Sequence, residues 1–442
     1  MLARHTVTSG NRSLAGAWLG ITMLALAACG EPANEGSSGG PGGIDTLPLP
    51  TAEGSTGDDA GTGEQATSVA TSNGTTSGAD STDEGGDGIK FDVPMGGDVG
   101  MPENSCQTDP NADEDGDGYS VNQGDCNDCD ANVNPGAIEV QITEPDMMGV
   151  VPDPADEDCD GLVDNVDPPC DAGLSLTAND PYDAAAAIGL CKISAGATDW
   201  GIVDAEFVRS NGAALNAPLQ NGIMTNFGPN VSPLEGSSLL VLSSGHARIP
   251  GQPNACNSLT CYTSGLSTAP AGFPQDVPAC PGSLTIYDDI ALEVTLRAPT
   301  NATGYAFSFD FYSFEYPEWV CTSFNDQFIA LASPPPPGSI NGNVSFDAMG
   351  NPVSVNIAFF DVCSGCPLGT NELAGTGFDT WNDAGATSWL ATTAPVNGGD
   401  LVTIRFAIWD TGDQAWDSTA LIDNFRWIAD GGTVTVGTEP EG

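Results

Sequence analysis

Basic side chains are scarce in this sequence. Its 442 residues include nine lysines and arginines against 60 aspartates and glutamates, and the formal net charge is −51 at pH 7. A surface this acidic repels the phosphates of nucleic acids and of anionic lipid headgroups, which excludes both as binding partners. Histidine is rarer still. The two residues, His5 and His246, are too few to build a histidine-rich metal centre.

Long apolar runs are missing beyond the N-terminus. The run AGAWLGITMLALAAC is shorter than the roughly 20 residues that cross a bilayer, and it follows Arg4 and Arg12, so residues 1–28 are predicted to be a secretion signal. Its end, Leu26-Ala27-Ala28-Cys29, resembles the bacterial lipobox. That resemblance implies cleavage before Cys29 and a lipid anchor on it, at the outer membrane or cell surface of a bacterial envelope. An ordinary signal peptide that contains a cysteine is the alternative.

Aromatic residues are nearly absent from residues 29–104, which are rich in Gly, Ser, Thr, Pro and acids. Such a composition cannot bury enough apolar surface to offset chain entropy, so we expect a disordered tether. Residues 105–170 are acidic and cysteine-dense, with no basic residue. A core there would depend on metal and disulfides. With Cys29 set aside, 12 of the 13 cysteines remain, enough for six disulfides in an exported protein.

Two acidic stretches follow the order of an EF-hand-type calcium loop, which takes ligands from positions 1, 3, 5, 7, 9 and 12 and has glycine at position 6. The better match has Gly161 at position 6, and its predicted ligands are Asp156, Asp158, Asp160, the carbonyl of Leu162, Asp164 and Asp167. The other has Gly118 at position 6, and its predicted ligands are Asp113, Asp115, Asp117, the carbonyl of Tyr119, and Asp125, one place late.

A third, partial set lacks the glycine, because Val133 stands in its place. Its predicted ligands are Asp128, Asp130, Asn132 and Glu139. A solvated acidic run that binds nothing is the alternative for all three sets. If metal binds, the hard oxygen ligands favour Ca²⁺ over zinc or copper. The pairs Cys126-x-x-Cys129 and Cys363-x-x-Cys366 are each either a zinc half-site or disulfide cysteines, and export favours disulfides.

The stretch DEDGDGYSVNQGDCND, followed by VNPGAIE and DEDCDGLVD, resembles the metal-binding repeat of the MopE type, found in secreted and surface proteins of bacteria. The resemblance covers roughly residues 113–167 and implies metal binding. It departs from the pattern in two places: no cysteine follows Glu139, and TEPDMMGVVPDPA is inserted before the last loop.

Residues 171–442 have the composition of a globular domain. NDPYDAAAAIGLC predicts one helix, capped by Asn179 or Asp180. The rest predicts strands, because apolar residues alternate with small or polar ones; the alternating sets are Ile290, Leu292, Val294 and Leu296, then Phe307, Phe309 and Phe311, then Val402, Ile404, Phe406 and Ile408. Strict alternation predicts antiparallel sheets with one buried face. We therefore expect a mainly β fold, an antiparallel, jelly-roll-like β-sandwich.

The segment FDFYSFEYPEWVCTSFNDQFIAL resembles the choice-of-anchor L domain, together with GSSLLVLSSGHAR upstream and AIWDTGDQAWDSTALIDNF downstream. The resemblance spans most of residues 201–427 and implies a surface β module of exported bacterial proteins, without implying a reaction. With its lipobox, its acidic repeats and this β module, the chain is similar to myxobacterial surface lipoproteins.

Catalytic constellations are weak in this sequence. Ser243 or Ser244 with His246 would be a triad crowded into one strand end. Glu315, Glu318 and Asp326 flank aromatic residues and could serve a glycosidase, which needs two carboxyl groups across a sugar. The same segment, Tyr312, Glu315, Tyr316, Glu318 and Trp319, equally describes a ligand-binding face or ordinary packing. Asp410, Asp413, Asp417 and Asp423 are either turn-forming aspartates or a further calcium site.

The favoured hypothesis is a non-catalytic surface lipoprotein with calcium-binding loops and a β module that binds an extracellular glycan or protein for adhesion. A glycosidase and a purely structural envelope protein are the alternatives.

Overall fold

The computed structural model describes residues 109–141, 154–357, 359–380, 384–429 and 431–441. The predicted signal peptide, Cys29 and the predicted tether lie outside these residues. Among the described residues, no helix is long and apolar enough to cross a membrane.

The chain forms thirteen strands and one short α-helix, α1 (Pro181–Ala186), within the described residues. The strands are β1 (Gly201–Val208), β2 (Asn221–Met224), β3 (Leu239–Ser243), β4 (Leu266–Ser267), β5 (Ile286–Arg297), β6 (Gly304–Ser313), β7 (Gln327–Ser333), β8 (Val353–Ser354), β9 (Gly385–Ala386), β10 (Leu390–Pro395), β11 (Leu401–Thr411), β12 (Ser418–Ile428) and β13 (Gly437–Pro440). Single 3₁₀ turns cover Val121–Gln123 and Asn371–Leu373.

These strands make two antiparallel sheets. The first has the order β1-β5-β11-β7-β8, with β4 also paired to β5, and the second has the order β13-β10-β6-β12-β3-β2, with β9 also paired to β6. One hydrophobic core joins residues of both sheets. Phe406 of the first sheet contacts Phe307 of the second edge to face, with ring centroids 4.9 Å apart, and Phe328 contacts Phe309 at 4.7 Å. The predicted antiparallel sandwich is confirmed.

Strand β6 differs from the expected pattern of one buried and one solvated face, because all ten of its residues are buried. Phe307, Phe309 and Phe311 face the core between the sheets, as predicted. On the opposite face, Tyr312 contacts Phe227 at 5.0 Å and Phe378 at 5.4 Å. Long connecting segments therefore cover the outside of this sheet with a second apolar cluster.

The predicted helix is shorter than its sequence pattern suggested. Asp180 caps it, as one of the two predicted caps, and its carboxylate accepts the amide of Tyr182 at 3.0 Å. The helix ends at Ala186, and Gly189 follows with a φ of 94°, a conformation that is easy only for glycine. The turn lets Ile188 accept the amide of Phe425 at 2.7 Å and so fastens the segment to β12.

Candidate functional site

The first acidic loop is shaped by its own aspartates, which accept backbone amides. Asp113 accepts from Gly116 at 2.7 Å and from Gly118 at 3.0 Å, and Asp117 accepts from Tyr119 at 2.7 Å. Both glycines have positive φ, 85° and 100°. Gly118 and the two aspartates therefore stand where the calcium-loop pattern has glycine and acids, and Gly116 adds a second glycine at position 4.

Five carboxylates meet in this loop. Oxygens of Asp113, Asp115 and Asp128 lie within 4.8 Å of one another, and so do oxygens of Asp115, Asp117 and Asp125. Asp125 joins the group although it comes one place late in the sequence register. One oxygen each of Asp115, Asp117, Asp125 and Asp128 is buried and accepts no hydrogen bond from the described residues. Asp128 is fully buried and Asp125 is 4% exposed.

Unpaired carboxylates in such a place are costly when charged. Burial, and after it the charges of Asp115 and Asp125, raises the pKa of Asp117 to about 6. Burial likewise raises the pKa of Asp115 and that of Asp125. A hard divalent cation would offset this cost by coordinating the buried oxygens.

The second acidic loop has the same construction. Asp156 accepts the amides of Asp160 at 3.1 Å and Gly161 at 3.0 Å, and Asp160 accepts the amide of Leu162 at 2.7 Å. Gly161 has a φ of 90°, and the side chain of Leu162 is exposed, so this residue serves the loop through its backbone.

Glu139 lies against this second loop. Its oxygens group within 4.8 Å with those of Asp156 and Asp158, and in a second group with those of Glu157 and Asp164. Asp167, the acid at position 12 of the sequence register, is exposed and belongs to neither group. Burial raises the pKa of Glu139 to about 7. The sequence pattern did not predict Glu157 as a ligand, because this residue falls between the register positions. Only the fold of residues 139–141 brings it close to Glu139.

The structure does not bring the third predicted set together as one loop. Asp128 belongs to the first loop and Glu139 to the second. Asp130 accepts the amide of Asn132 at 3.2 Å and stays in a local turn. This stretch therefore divides its acids between the two neighbouring loops.

A disulfide, Cys126–Cys159, joins the two acidic loops. Cys129 is disulfide-bonded too, and Cys363 pairs with Cys366, so none of the four cysteines keeps a thiolate for zinc. Further disulfides join Cys170–Cys191, Cys256–Cys261 and Cys280–Cys321. The expectation of disulfides is confirmed.

The acidic loops contact the β-sandwich at the β5–β6 connection. The Thr300 hydroxyl donates to the side chain of Asn134 at 2.7 Å, and the Thr300 amide donates to the carbonyl of Gly136 at 2.9 Å. Asn301 exchanges two hydrogen bonds with the backbone of Ile138, at 2.8 and 3.1 Å. These bonds position the acidic loops at one end of the sandwich.

The aromatic and acidic face predicted around Trp319 is divided by the fold. Tyr312 is fully buried and Glu315 is 3% exposed, so neither contributes to an outer surface. Tyr316 is half-buried and stacks on Phe360 at 4.1 Å, whereas Glu318 and Trp319 are exposed. Glu315 and Asp326 are both buried, so neither carboxyl group faces a substrate in solvent.

The serine and histidine residues do not assemble into a nucleophile and base. The Ser243 hydroxyl is buried, accepts from the hydroxyl of Thr419 at 2.9 Å and donates to the carbonyl of Ser418 at 3.1 Å. His246 directs Nδ1 at the carbonyl of Asn254, 2.8 Å away. These hydrogen bonds of Ser243 and His246 hold neighbouring segments of the chain in place.

A cavity of about 200 Å³ opens at the end of the sandwich remote from the acidic loops. Three phenylalanines, Phe227, Phe314 and Phe378, form its apolar wall. His246 and Arg248 also line it, and Arg248 is 6% exposed, held by the carbonyls of Asn221 and Ala247. The cavity thus combines an aromatic wall with hydrogen-bonding groups, as small-ligand sites do.

The model of the choice-of-anchor L domain matches residues 203–425. The chain belongs to the choice-of-anchor L family. The match confirms the resemblance seen in strands β3, β6 and β12 and covers nearly the whole sandwich. Membership indicates a cell-surface or secreted, β-rich protein with a non-enzymatic domain. No curated protein and no solved structure matches the chain.

Proposed function

We propose that this choice-of-anchor L protein is a lipid-anchored, non-catalytic surface protein of a bacterial envelope. Its acidic loops, which resemble the MopE-type repeat, bind Ca²⁺, and its sandwich binds an extracellular glycan or protein for adhesion. The observation that carries the metal proposal is the set of buried oxygens of Asp115, Asp117, Asp125 and Asp128 that accept no hydrogen bond within the part of the chain that the structure describes. Only oxygen ligands meet there, which favours calcium over zinc or copper.

Calcium binding is tested on the full chain by calorimetry and thermal unfolding after treatment with a chelator. Calcium should bind and raise the melting temperature, and Asp128→Asn should weaken binding because it removes a charge from the fully buried ligand of the first loop. Asp204→Asn, on an exposed position of β1, is the matched control. The metal proposal fails if calorimetry detects no binding and the chelator leaves the melting temperature unchanged.

The lipid anchor on Cys29 is tested in the producing cell. Mass spectrometry of the protein extracted from envelopes should find diacylglycerol on an N-terminal Cys29, and Cys29→Ser should release the protein from the membrane fraction. Retention of the variant in that fraction would refute the anchor.

The cavity beside Phe378 and His246 is the place we assign to the extracellular partner. Its volume suits a single sugar ring or one protruding side chain, which would hydrogen-bond to His246, a partly exposed residue of the lining. A glycan array and surface extracts provide the screen, with His246→Ala as the binding variant and exposed Leu284→Ala as its control. Hits that survive His246→Ala would move the site elsewhere. An absence of hits would favour a purely structural envelope role.

A further inference from the structure

Arg248 is a buried cation that lines the cavity beside His246, and the residue is 6% exposed. Its Nη1 donates to the carbonyls of Asn221 at 2.6 Å and Ala247 at 2.5 Å. Its Nη2 donates to the carbonyl of Pro218 at 3.3 Å. All three acceptors are neutral, so these bonds fix the guanidinium in place without neutralising its charge.

No carboxylate forms an ion pair with this guanidinium among the described residues. The ion pairs there are Lys192–Asp199, Arg209–Asp289 and Arg405–Glu293. Burial lowers the pKa of Arg248 from its ordinary value, and no neighbouring carboxylate opposes that shift. A charge withdrawn from water in this way costs free energy unless an opposite charge lies beside it.

One edge of the guanidinium lacks acceptors. The Nε atom of Arg248 is buried and has no hydrogen-bond partner in the part of the chain that the structure describes. Nη2 uses one of its two hydrogens for Pro218, which leaves the other. Nε and Nη2 form one side of the planar fork, and we call this side the free edge. Such an edge matches two oxygens of an oxyanion, which the described residues do not supply.

The backbone beside Arg248 has room for the guanidinium because residue 222 is a glycine. A Cβ atom on Gly222, in β2, would lie 2.6 Å from Nη1 of Arg248. A larger residue would therefore push the guanidinium away from the carbonyl of Asn221. Glycine at this position lets the charged group lie against the strand.

His246 adds a second hydrogen-bonding group to the lining. Because a carbonyl only accepts, Nδ1 of His246 donates its hydrogen to Asn254, and Nε2 is the nitrogen that can meet a ligand. The exposed residues of the lining include Asn257, Ser258 and Thr380. Their amide and hydroxyl groups are partners for the hydroxyl groups of a sugar.

One carboxyl group also lines the cavity, that of Asp417. This residue is 5% exposed, and its Oδ2 accepts the amide of Cys261 at 2.9 Å. Burial raises the pKa of Asp417 well above its usual range, which favours the neutral form of the carboxyl group. Asp417 therefore opposes a bound anion less than an exposed acid would.

We propose that the cavity binds an acidic sugar, whose carboxylate or sulfate group takes the free edge of Arg248. This inference rests on the proposed role of the cavity as the partner site, and it names the class of ligand. The volume of about 200 Å³ suits one ring. The net charge of −51 repels anions at long range, but salt screens this repulsion beyond roughly 8 Å at physiological ionic strength, so the groups of the cavity decide what binds.

The test titrates the full chain with three sugars that differ only at carbon 6, followed by ligand-observed NMR at physiological salt. Methyl glucuronide carries a carboxylate, methyl glucoside 6-sulfate carries a sulfate, and methyl glucoside is neutral. One of the acidic sugars should bind about tenfold or more tightly than the neutral one, because hydrogen bonds between charged groups are the stronger ones. The tighter of the two identifies the anion.

Variants locate the preference at Arg248. Arg248→Gln should weaken binding of the acidic sugar about tenfold and change binding of methyl glucoside little, whereas a purely structural residue would affect both sugars alike. Arg248→Lys keeps the charge and should retain part of the preference. Arg426→Gln removes the same charge from an exposed position of β12 and should match the unaltered chain. An undiminished preference in Arg248→Gln would overturn the role of this residue.

A measurement on the unaltered chain keeps the proposal falsifiable if the Arg248 variants do not fold. The acidic sugar should slow amide hydrogen exchange within residues 246–258, which supply six residues of the lining, and the neutral sugar at the same concentration should not. Slowing confined to other segments would overturn the site.

The remaining outcomes separate this inference from the proposed function. Equal binding of the three sugars would overturn the acidic ligand and leave the cavity as the partner site. Binding of acidic sugars that survives His246→Ala would refute the cavity itself. Binding of N-acetylglutamate amide without binding of either acidic sugar would overturn the sugar and assign the cavity to an acidic side chain of a protein partner.

Discussion

Glu139 is shared by the two carboxylate groups of the second acidic loop. Its Oε2 accepts the amide of Asp164 at 2.7 Å, and burial raises its pKa to about 7. A bound cation would compete with the proton for this side chain. In the proposed calcium site, Glu139 takes the place, from a separate stretch of chain, of the glutamate that the loop lacks at position 12.

At the residue scale we predict that Glu139→Gln weakens calcium binding by the second loop about tenfold or more, because affinity follows the number of charged ligands. Asp167→Asn should leave binding unchanged, since Asp167 is exposed and outside both groups. Calcium titration of the two variants, which lose the same charge, makes the comparison. A loss confined to Asp167→Asn would show that the loop follows its sequence register instead.

At the scale of elements, strand β6 contacts apolar residues on both faces. Its outer face carries Asp310 as well as Tyr312, and the Asp310 carboxylate accepts the hydroxyl of Thr387 at 3.1 Å. The residues that cover this face include Leu373, Phe378, Ala384 and Ala386. Loops, rather than a further sheet, thus complete the packing of the domain.

The disulfide Cys126–Cys159 connects the two acidic loops, which have little apolar surface of their own. It closes a loop of 33 residues, and on chain-entropy grounds its removal by Cys126→Ser with Cys159→Ser should cost about 3–4 kcal/mol of unfolding free energy. Cys363→Ser with Cys366→Ser, closing three residues, should cost about 2 kcal/mol or less.

Chemical unfolding of both double variants in calcium checks this ranking. Calcium affinity should fall only in the first double variant, because only that disulfide positions the acidic loops. Equal affinity in both would mean that the loops hold their shape without it.

For the whole molecule, the excess of acids makes stability depend on pH. Burial, and after it the charge of Glu372, raises the pKa of Asp310 from 3.8 to about 7, and burial raises that of Asp423 to about 7. Between about pH 4 and pH 7, the folded chain keeps protons on these two carboxyl groups that the unfolded chain has already released. Unfolding free energy should therefore be highest near pH 4 and fall as the pH rises to about 7.

Urea unfolding in chelator, at several pH values across this range, measures the slope. Asp310→Asn should flatten it, and Asp204→Asn should not. Several hydrogen bonds lower the pKa of Asp171. Its titration therefore changes the unfolding free energy only below pH 4, outside this range. A slope of the opposite sign would refute the assignment of buried, protonated acids.

Local patterns were enough to predict much of this protein. Alternation along Phe307, Phe309 and Phe311 predicts a strand with one face in the core, and the order of aspartates and glycines predicts two turns of calcium-loop type, because both depend on neighbours a few residues apart. Only the tertiary structure decided which acids meet. Glu139 reaches the loop of Asp156, and Asp128 reaches Asp113 and Asp115, through the folding together of separate stretches of chain, which no local period encodes.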